Sequence, residues 1–281
     1  MTRRLEAQDR IHRTLRIWNP EKPQVKNSTE LKGHAGAIER VAWNPTKEAE
    51  LASVSSDGTC RFWDVRSKAC TATVQLGGEG FSIVWAPDGS AVIVGTKDDK
   101  LVLITILLAP QASPAMQQPV QTNQMTFNHT HPPTHLLITR GDGSVTIVGY
   151  PSFDPIHTLH AHTSSCLSIA LSPTARYIAI GGSDALISLY DTTDWVCKRT
   201  LTSTSGAVKS VGFSFDGSFV VGGSEDGSAL EVAHVESGEC VGKIETPGGA
   251  GVVAWHPGRY WIAYAGEGGG LRILGAAGGQ M

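Results

Sequence analysis

Gly33-His34-Ala35-Gly36-Ala37-Ile38-Glu39-Arg40-Val41-Ala42-Trp43-Asn44-Pro45 opens a stretch that runs, through Asp57-Gly58, to Thr59-Cys60-Arg61-Phe62-Trp63-Asp64. Its β-rich runs at 38–43, 50–55, 59–64 and 70–74 are separated by turn residues, and Asp-Gly between two such runs is a hairpin signal. Asp-Gly recurs at 88–89, 142–143, 216–217 and 226–227. The residue closing the first run recurs as Trp43, Trp85, Phe127, Leu171, Phe213 and Trp255, spaced 42, 42, 44, 42 and 42. Pro follows two residues later at Pro45, Pro87, Pro173 and Pro257. The turn acid recurs as Asp57, Asp98, Asp142, Asp184 and Asp226, with Gly268 in the sixth slot, spaced 41, 44, 42, 42 and 42. Two markers holding one period define a tandem module.

Four short antiparallel strands per module, with Gly33-His34 and Trp63-Asp64, form the WD-repeat pattern. Ala161-His162 and Tyr190-Asp191 carry a variant of it, and the other modules lack both dipeptides. The expected fold is all-β, a WD40 β-propeller. Full repeats are expected at about 31–74, 75–108, 117–159, 160–201, 202–244 and 245–275, within a propeller over 13–275. A basic tail over 1–12 and a Gly-rich tail over 276–281 flank it. Arg13 to Asn19 matches the third strand of the first full repeat, with Trp18 lying 45 residues ahead of Trp63. That segment reads as the last two strands of a blade whose first two are absent. The chain is thus expected to be seven-bladed with an incomplete first blade; six closed blades with a donated N-terminal strand is the alternative. Only residues 2–13 carry any helical periodicity, and 109–124 reads as a mobile Pro/Gln-rich loop between repeats.

Composition narrows the function classes. Of 281 residues 32 are Gly, 41% are apolar and 17% charged, which excludes a disordered or coiled-coil chain. A net charge of −3 gives no overall basic field for nucleic acid. Five scattered cysteines without a CxxC suit a reducing compartment. The longest apolar stretch, 101–109, is too short to span a bilayer, and the first ten residues lack a signal-peptide core, so a soluble intracellular protein is expected.

His34, Ser55, Asp57 and Trp63 include the residue types of a hydrolase. A nucleophilic Ser needs an exposed, strained turn and an oxyanion hole, and no G-x-S-x-G occurs. The four are expected instead to form a structural hydrogen-bonded tetrad tying the strands of one blade together. The fourth repeat keeps His162 and Asp184 but has Gly182 in the Ser slot and Tyr190 in the Trp slot, a decay suited to a structural element. Histidines cluster at His129, His131 and His135 and at His157, His160 and His162, without acidic or Cys ligands at metal-site spacing. No phosphate-binding loop is present, and Gly266 to Gly270 reads as a loose turn. Arg140-Gly141-Asp142 is the repeat's own turn, and the sequons at Asn27 and Asn128 matter only in a secreted protein. Arg3, Arg4, Arg10, Arg13 and Arg16 form the one basic cluster, diluted by Glu6 and Asp9. No catalytic residue, metal or cofactor is expected.

The order of the repeats is more specific than the general pattern. Trp85-Ala-Pro-Asp-Gly, Gly95-Thr-Lys-Asp-Asp-Lys100, Tyr150-Pro-Ser, Ala161-His-Thr-Ser-Ser-Cys166, Ser183-Asp-Ala-Leu-Ile-Ser-Leu-Tyr-Asp191, Glu231-Val-Ala-His-Val-Glu-Ser-Gly238 and Val253-Ala-Trp-His-Pro257 stand in succession. Over residues 13–275 the chain resembles the WD-repeat (third) subunits of the THO complex, a nuclear assembly coupling transcription to mRNA export. The resemblance implies a nuclear, non-catalytic scaffold whose partners are other THO subunits and mRNA-export factors. RNA contact would be indirect or weak, with no membrane and no small-molecule substrate. A ubiquitin-ligase substrate receptor is the alternative adaptor role. Partner contacts are expected on the turns beside each turn acid, at Ser56, Lys97, Gly141, Ser183, Glu225 and Glu267, because loops on one rim of a rigid scaffold usually carry binding.

Overall fold

The computed structural model describes residues 5–7, 13–18, 28–106, 109–128, 134–202, 205–266 and 270–275. The chain divides into two compact units, residues 3–129 and residues 130–281 together with Met1–Thr2. Among the described residues every regular element is a strand, and the strands pair into seven antiparallel sheets.

In the first unit β1 (Leu5–Ala7), β2 (Thr14–Trp18) and β3 (Thr29–Lys32) pair in that order. The next sheet is β4 (Ile38–Trp43), β5 (Glu50–Ser55), β6 (Thr59–Asp64) and β7 (Ala69–Gln75). Then come β8 (Gly80–Trp85), β9 (Ala91–Thr96) and β10 (Lys100–Ile106), with β11 (Pro110–Ala112) and β12 (Met116–Gln117) both on β10. β13 (Thr122–Asn128) lies against β8 and β9. In the second unit β14 (His135–Arg140), β15 (Ser144–Gly149) and β16 (Pro155–His160) pair in order. They are followed by β17 (Cys166–Leu171), β18 (Tyr177–Gly182), β19 (Ile187–Asp191) and β20 (Cys197–Leu201). β21 (Val208–Phe213), β22 (Phe219–Ser224), β23 (Ala229–His234) and β24 (Cys240–Glu245) form the next sheet, and β25 (Val252–Trp255), β26 (Trp261–Ala265) and β27 (Arg272–Gly275) the last.

Burial follows strand position. The second strand of a sheet is covered on both faces: every residue of β9 (Ala-Val-Ile-Val-Gly-Thr) and β18 (Tyr-Ile-Ala-Ile-Gly-Gly) is buried. Such strands read as unbroken runs of small and β-branched residues. The outermost strands β7, β16 and β20 are mostly exposed and correspondingly polar. Neighbouring sheets supply each other's core. Leu15, Ile17 and Leu31 pack with Ile38, Leu51 and Trp63. Val54 and Phe62 pack with Trp85, Val92 and Ile104, and the Phe62 and Trp85 rings meet edge to face at 5.8 Å. Tyr177 and Leu189 pack with Val208, Phe213 and Val220, and Val221 and Leu230 with Val253 and Ile262. The periodic aromatics also bridge sheets by hydrogen bonds. Trp85 Nε1 donates to the Ala42 carbonyl at 2.9 Å and Trp255 Nε1 to that of Gly212 at 3.2 Å, each 43 residues back.

Three expectations are corrected. The N-terminal sheet has three strands where two were expected, because Leu5–Ala7 pairs with β2, Leu5 opposite Trp18. Those residues are neither tail nor helix; three residues carry no usable periodicity, and the open backbone edge of β2 recruits them. Among the described residues that sheet is separate from β25–β27, so none of the strands β1–β3 is donated to the last sheet. Finally, 109–124 is not an inter-repeat loop. Pro110–Ala112 and Met116–Gln117 both pair with β10, so the second full repeat extends past residue 108. Apolar patterning is blind to this segment because its side chains are mostly exposed and its contribution is backbone pairing.

The Ser113 amide donates to the Leu103 carbonyl at 2.8 Å. Ser113→Pro deletes that donor and should lower the unfolding free energy by about 1 kcal/mol in urea titration, whereas a loop position would be unaffected.

Candidate functional site

The sheet β4–β7 carries a continuous hydrogen-bonded chain. Trp63 Nε1 donates to Ser53 Oγ at 2.8 Å, and Ser53 Oγ lies 2.8 Å from His34 Nε2. His34 Nδ1 lies 2.9 Å from Asp57 Oδ2, which also receives the Ala35 amide. Thr59 Oγ1 donates to Asp57 Oδ1 at 2.6 Å. The ionised Asp57 carboxylate can only accept, so the ring proton sits on Nδ1 and goes to Asp57, and Nε2 of the neutral ring accepts from Ser53 Oγ, which itself accepts from the indole. The ring is neutral. Burial holds the His34 pKa below its ordinary 6.5, outweighing the Asp57 hydrogen bond that would raise it. Burial pushes the Asp57 carboxyl upward, but hydrogen bonds from Thr59, His34 and the Ala35 amide outweigh it and hold the group well below the usual carboxylate range.

The serine of this chain is Ser53, not Ser55. Ser55 Oγ accepts the Asp57 amide at 3.1 Å and has no place between the rings. Both serines lie on one face of β5, two residues apart, so strand periodicity alone does not choose between them. The same shift applies in the sheet β17–β20. The residue four before Asp184 is Ile180, and His162 Nε2 lies 3.2 Å from its backbone carbonyl while Nδ1 lies 3.0 Å from Asp184. Gly182 matches Ser55 instead, and a Cβ there would fall 2.6 Å from His162 Nδ1. Tyr190 Oη reaches the His160 carbonyl at 3.5 Å, outside the His162 chain.

Ser53, His34 and Asp57 stand in the order and spacing of a nucleophile, base and orienting acid. A nucleophile must reach a solute and needs oxyanion donors beside it. Ser53 is 0% exposed and its oxygen already accepts the Trp63 indole, so the array's available chemistry is to bind strands together. Among the described residues no three His, Cys, Asp or Glu side chains are placed to hold a metal ion. His135 lies beside Trp195 with the rings tilted and their centroids 6.4 Å apart; His129 and His131 lie outside the described residues.

The turns singled out for partners are pinned in one way. The amides of Ser56, Lys97 and Ser183 donate to Ala37, Glu79 and Ser165, each in the loop entering the first strand of the same sheet, at 2.9 Å. The Gly141 carbonyl accepts Ser165 Oγ at 2.7 Å. Lys97, Ser183 and Glu225 are exposed, Ser56 and Gly141 half-buried, and Glu267 lies outside the described residues. Lys97 is not a bare cation: its Nζ lies 2.7 Å from Glu79 and 3.3 Å from Glu39, and the Glu79 hydrogen bond raises its pKa. Sequence spacing gives no sign of that triad, because Glu39, Glu79 and Lys97 meet only through the turn geometry. The residue after the turn acid is left-handed at Gly58, Asp99, Gly143 and Ala185, so these four repeats share one turn whether or not Gly fills it, while Gly227 after Asp226 departs from it.

The comparisons agree with this geometry. The family signature described as WD domain, G-beta repeat matches residues 25–64, 153–191 and 195–230. The chain is 36% identical to THO complex subunit 3 of Arabidopsis thaliana, over 93% of this chain and 82% of that protein. It is 31% identical to WD repeat-containing protein AAC3 of Dictyostelium discoideum, over 86% of this chain and 51% of that one. The β-propeller domain of Cps50 (Swd1) from Myceliophthora thermophila superposes with a TM-score of 0.84 over 98% of this chain and 94% of that one, at 17% identity. The protein is a β-propeller and belongs to the WD40-repeat family.

Ser53→Ala leaves the His34 nitrogen and the Trp63 indole unpaired in a buried site and should cost about 1–3 kcal/mol in urea titration, more than Ser55→Ala; equal costs would remove Ser53 from the chain. Because folding depresses the His34 pKa, the unfolded chain binds its proton first, near 6.5. Stability should therefore fall as the pH is lowered from about 7 to about 5, with a shallower fall in His34→Gln.

Proposed function

We propose that this protein is a non-catalytic scaffold subunit of a THO-type assembly, supporting co-transcriptional packaging of mRNA and its export from the nucleus. The observation that carries the reading is the 36% identity to THO complex subunit 3 along 93% of the chain. A likeness that runs along nearly the whole chain supports a shared arrangement of loops beyond the generic module. The physics of the site supports a scaffold. Its one Ser-His-Asp array is sealed in a blade, while the turns beside the turn acids are rigid and outward: Lys97, Ser183 and Glu225 are exposed on turns fixed by backbone hydrogen bonds. Rigid exposed loops lose little entropy on binding. The partners are other THO subunits and mRNA-export factors, with RNA reached through them, and the site of action is the nucleus. A ubiquitin-ligase receptor role has no comparable support.

Affinity purification of the tagged chain from its own cells should recover THO subunits in stoichiometric amounts. Combining Ser183→Arg and Glu225→Arg, both on exposed turn positions, should reduce that recovery about tenfold or more without lowering the melting temperature. Recovery of cullin-type ligase components in place of THO subunits would overturn the assignment.

A further inference from the structure

Ser113-Pro114 stands where the outermost strand of its sheet breaks. Ala112 faces Ile104 and Met116 faces Leu101, so Ser113, Pro114 and Ala115 oppose only Val102 and Leu103. An extra residue in an edge strand makes a bulge, which takes side chains out of the ladder and re-aims them. Pro114 and Ala115 are exposed and Ser113 is half-buried. The Ser113 amide donates to the Leu103 carbonyl at 2.8 Å, while its hydroxyl has no partner among the described residues. The Ser113–Pro114 peptide bond is trans. Two other hydroxyl residues precede a proline, Ser172 and Thr246, and both are sealed, at 1% and 7% exposure. Turn serines elsewhere are already held by carboxylates: Ser67 donates to Asp64 and Ser90 to Asp88, where a phosphate would meet a like charge.

We propose that Ser113 is a phosphorylation site for a proline-directed protein kinase. Such an enzyme takes an extended trans Ser-Pro whose hydroxyl is free to attack. Ser113 Oγ attacks the γ-phosphorus of ATP, and the new oxygen–phosphorus bond forms as the bond from that phosphorus to the β,γ-bridging oxygen breaks. The hydroxyl proton passes to the catalytic carboxylate of the kinase, and ADP leaves with the bonding pair. The flanking strands β11 and β12 are three and two residues long, so the segment can peel from β10 while the rest of the sheet stays paired. Charge sets the consequence. No Asp, Glu, Lys or Arg occurs between Lys100 and Arg140, and β7, against which β11 lies, is uncharged as well. A phosphate adds about −1.5 to −2 charge to this neutral edge. It breaks no ion pair of Ser113, and neither β7 nor β11 carries a cation to neutralise it, so the mark faces solvent and the fold is kept. The site lies on an outer strand, away from the turns beside the turn acids, and does not rest on the THO-type assignment.

Incubation of the purified, folded full chain with a cyclin-dependent kinase and magnesium ATP tests the proposal. Tandem mass spectrometry should place the phosphate on Ser113, with the melting temperature of the chain unchanged. Ser113→Ala should lower incorporation about tenfold or more, and Pro114→Ala, which keeps the hydroxyl, should do the same. Ser113→Thr, which restores a hydroxyl before the proline, should retain labelling. These variants change exposed or half-buried side chains that hold no hydrogen bond, and an unchanged melting temperature for each separates loss of labelling from loss of fold. Incorporation that persists in Ser113→Ala, that falls on Ser172 or Thr246, or that begins only after heat unfolding overturns the proposal. So does the absence of incorporation on the folded chain. None of these outcomes bears on recovery of THO subunits through the turn-acid end.

Discussion

A single sheet of four strands has two faces and no interior, and each sheet of this protein depends on its neighbour for a core. Within each unit the buried clusters straddle consecutive sheets: Phe62 meets Trp85, Leu189 meets Val208 and Leu230 meets Val253. Apolar burial at about 25 cal/mol per Å² makes those contacts the main stabilising term. The second strands are buried on both faces for the same reason, and the outer strands can be polar because most of their residues face solvent. The Trp85 and Trp255 hydrogen bonds to the preceding sheet add direction to an otherwise non-directional attraction.

The hydrogen-bonded chain from Trp63 through Ser53 and His34 to Asp57 acts at a smaller scale. It ties the loop entering β4 to β5, to β6 and to the turn between them. Its residue types are those of hydrolytic chemistry, and burial decides its role. A hydroxyl sealed under a tryptophan, its proton given to the imidazole and a lone pair taken by the indole, stiffens a blade, whereas the same hydroxyl at an open turn could attack a substrate. In the sheet β17–β20 the contact survives with a backbone carbonyl replacing the serine, a substitution that a structural link tolerates.

Rigidity of this kind separates fold from recognition. The sheets are supported by one another, so the turns at their ends vary with little cost to the core. In residues 3–129 the turns beside the turn acids are pinned to neighbouring loops, with Lys97 held between Glu39 and Glu79. In residues 130–281 Phe215 and Tyr260 stand exposed at the other ends of their sheets.

The period of about 42 residues, the all-β class and the family were legible in the sequence, because a module repeated along the chain writes its turn acids and closing aromatics at a fixed spacing. The histidine, acid and tryptophan of the tetrad were legible as well, since each stands at a recurring register position. Ser53 was not, because Ser53 and Ser55 share one face of β5 and only the reach of the His34 ring separates them. Nor were the strands at Leu5–Ala7 and Pro110–Ala112, whose place comes from backbone edges that any sequence can pair with. The sequence by itself determined the module and its period; the tertiary structure decided which hydroxyl, which edge strand and which charged side chains meet, because those contacts join residues far apart in the chain through geometry that no local pattern records.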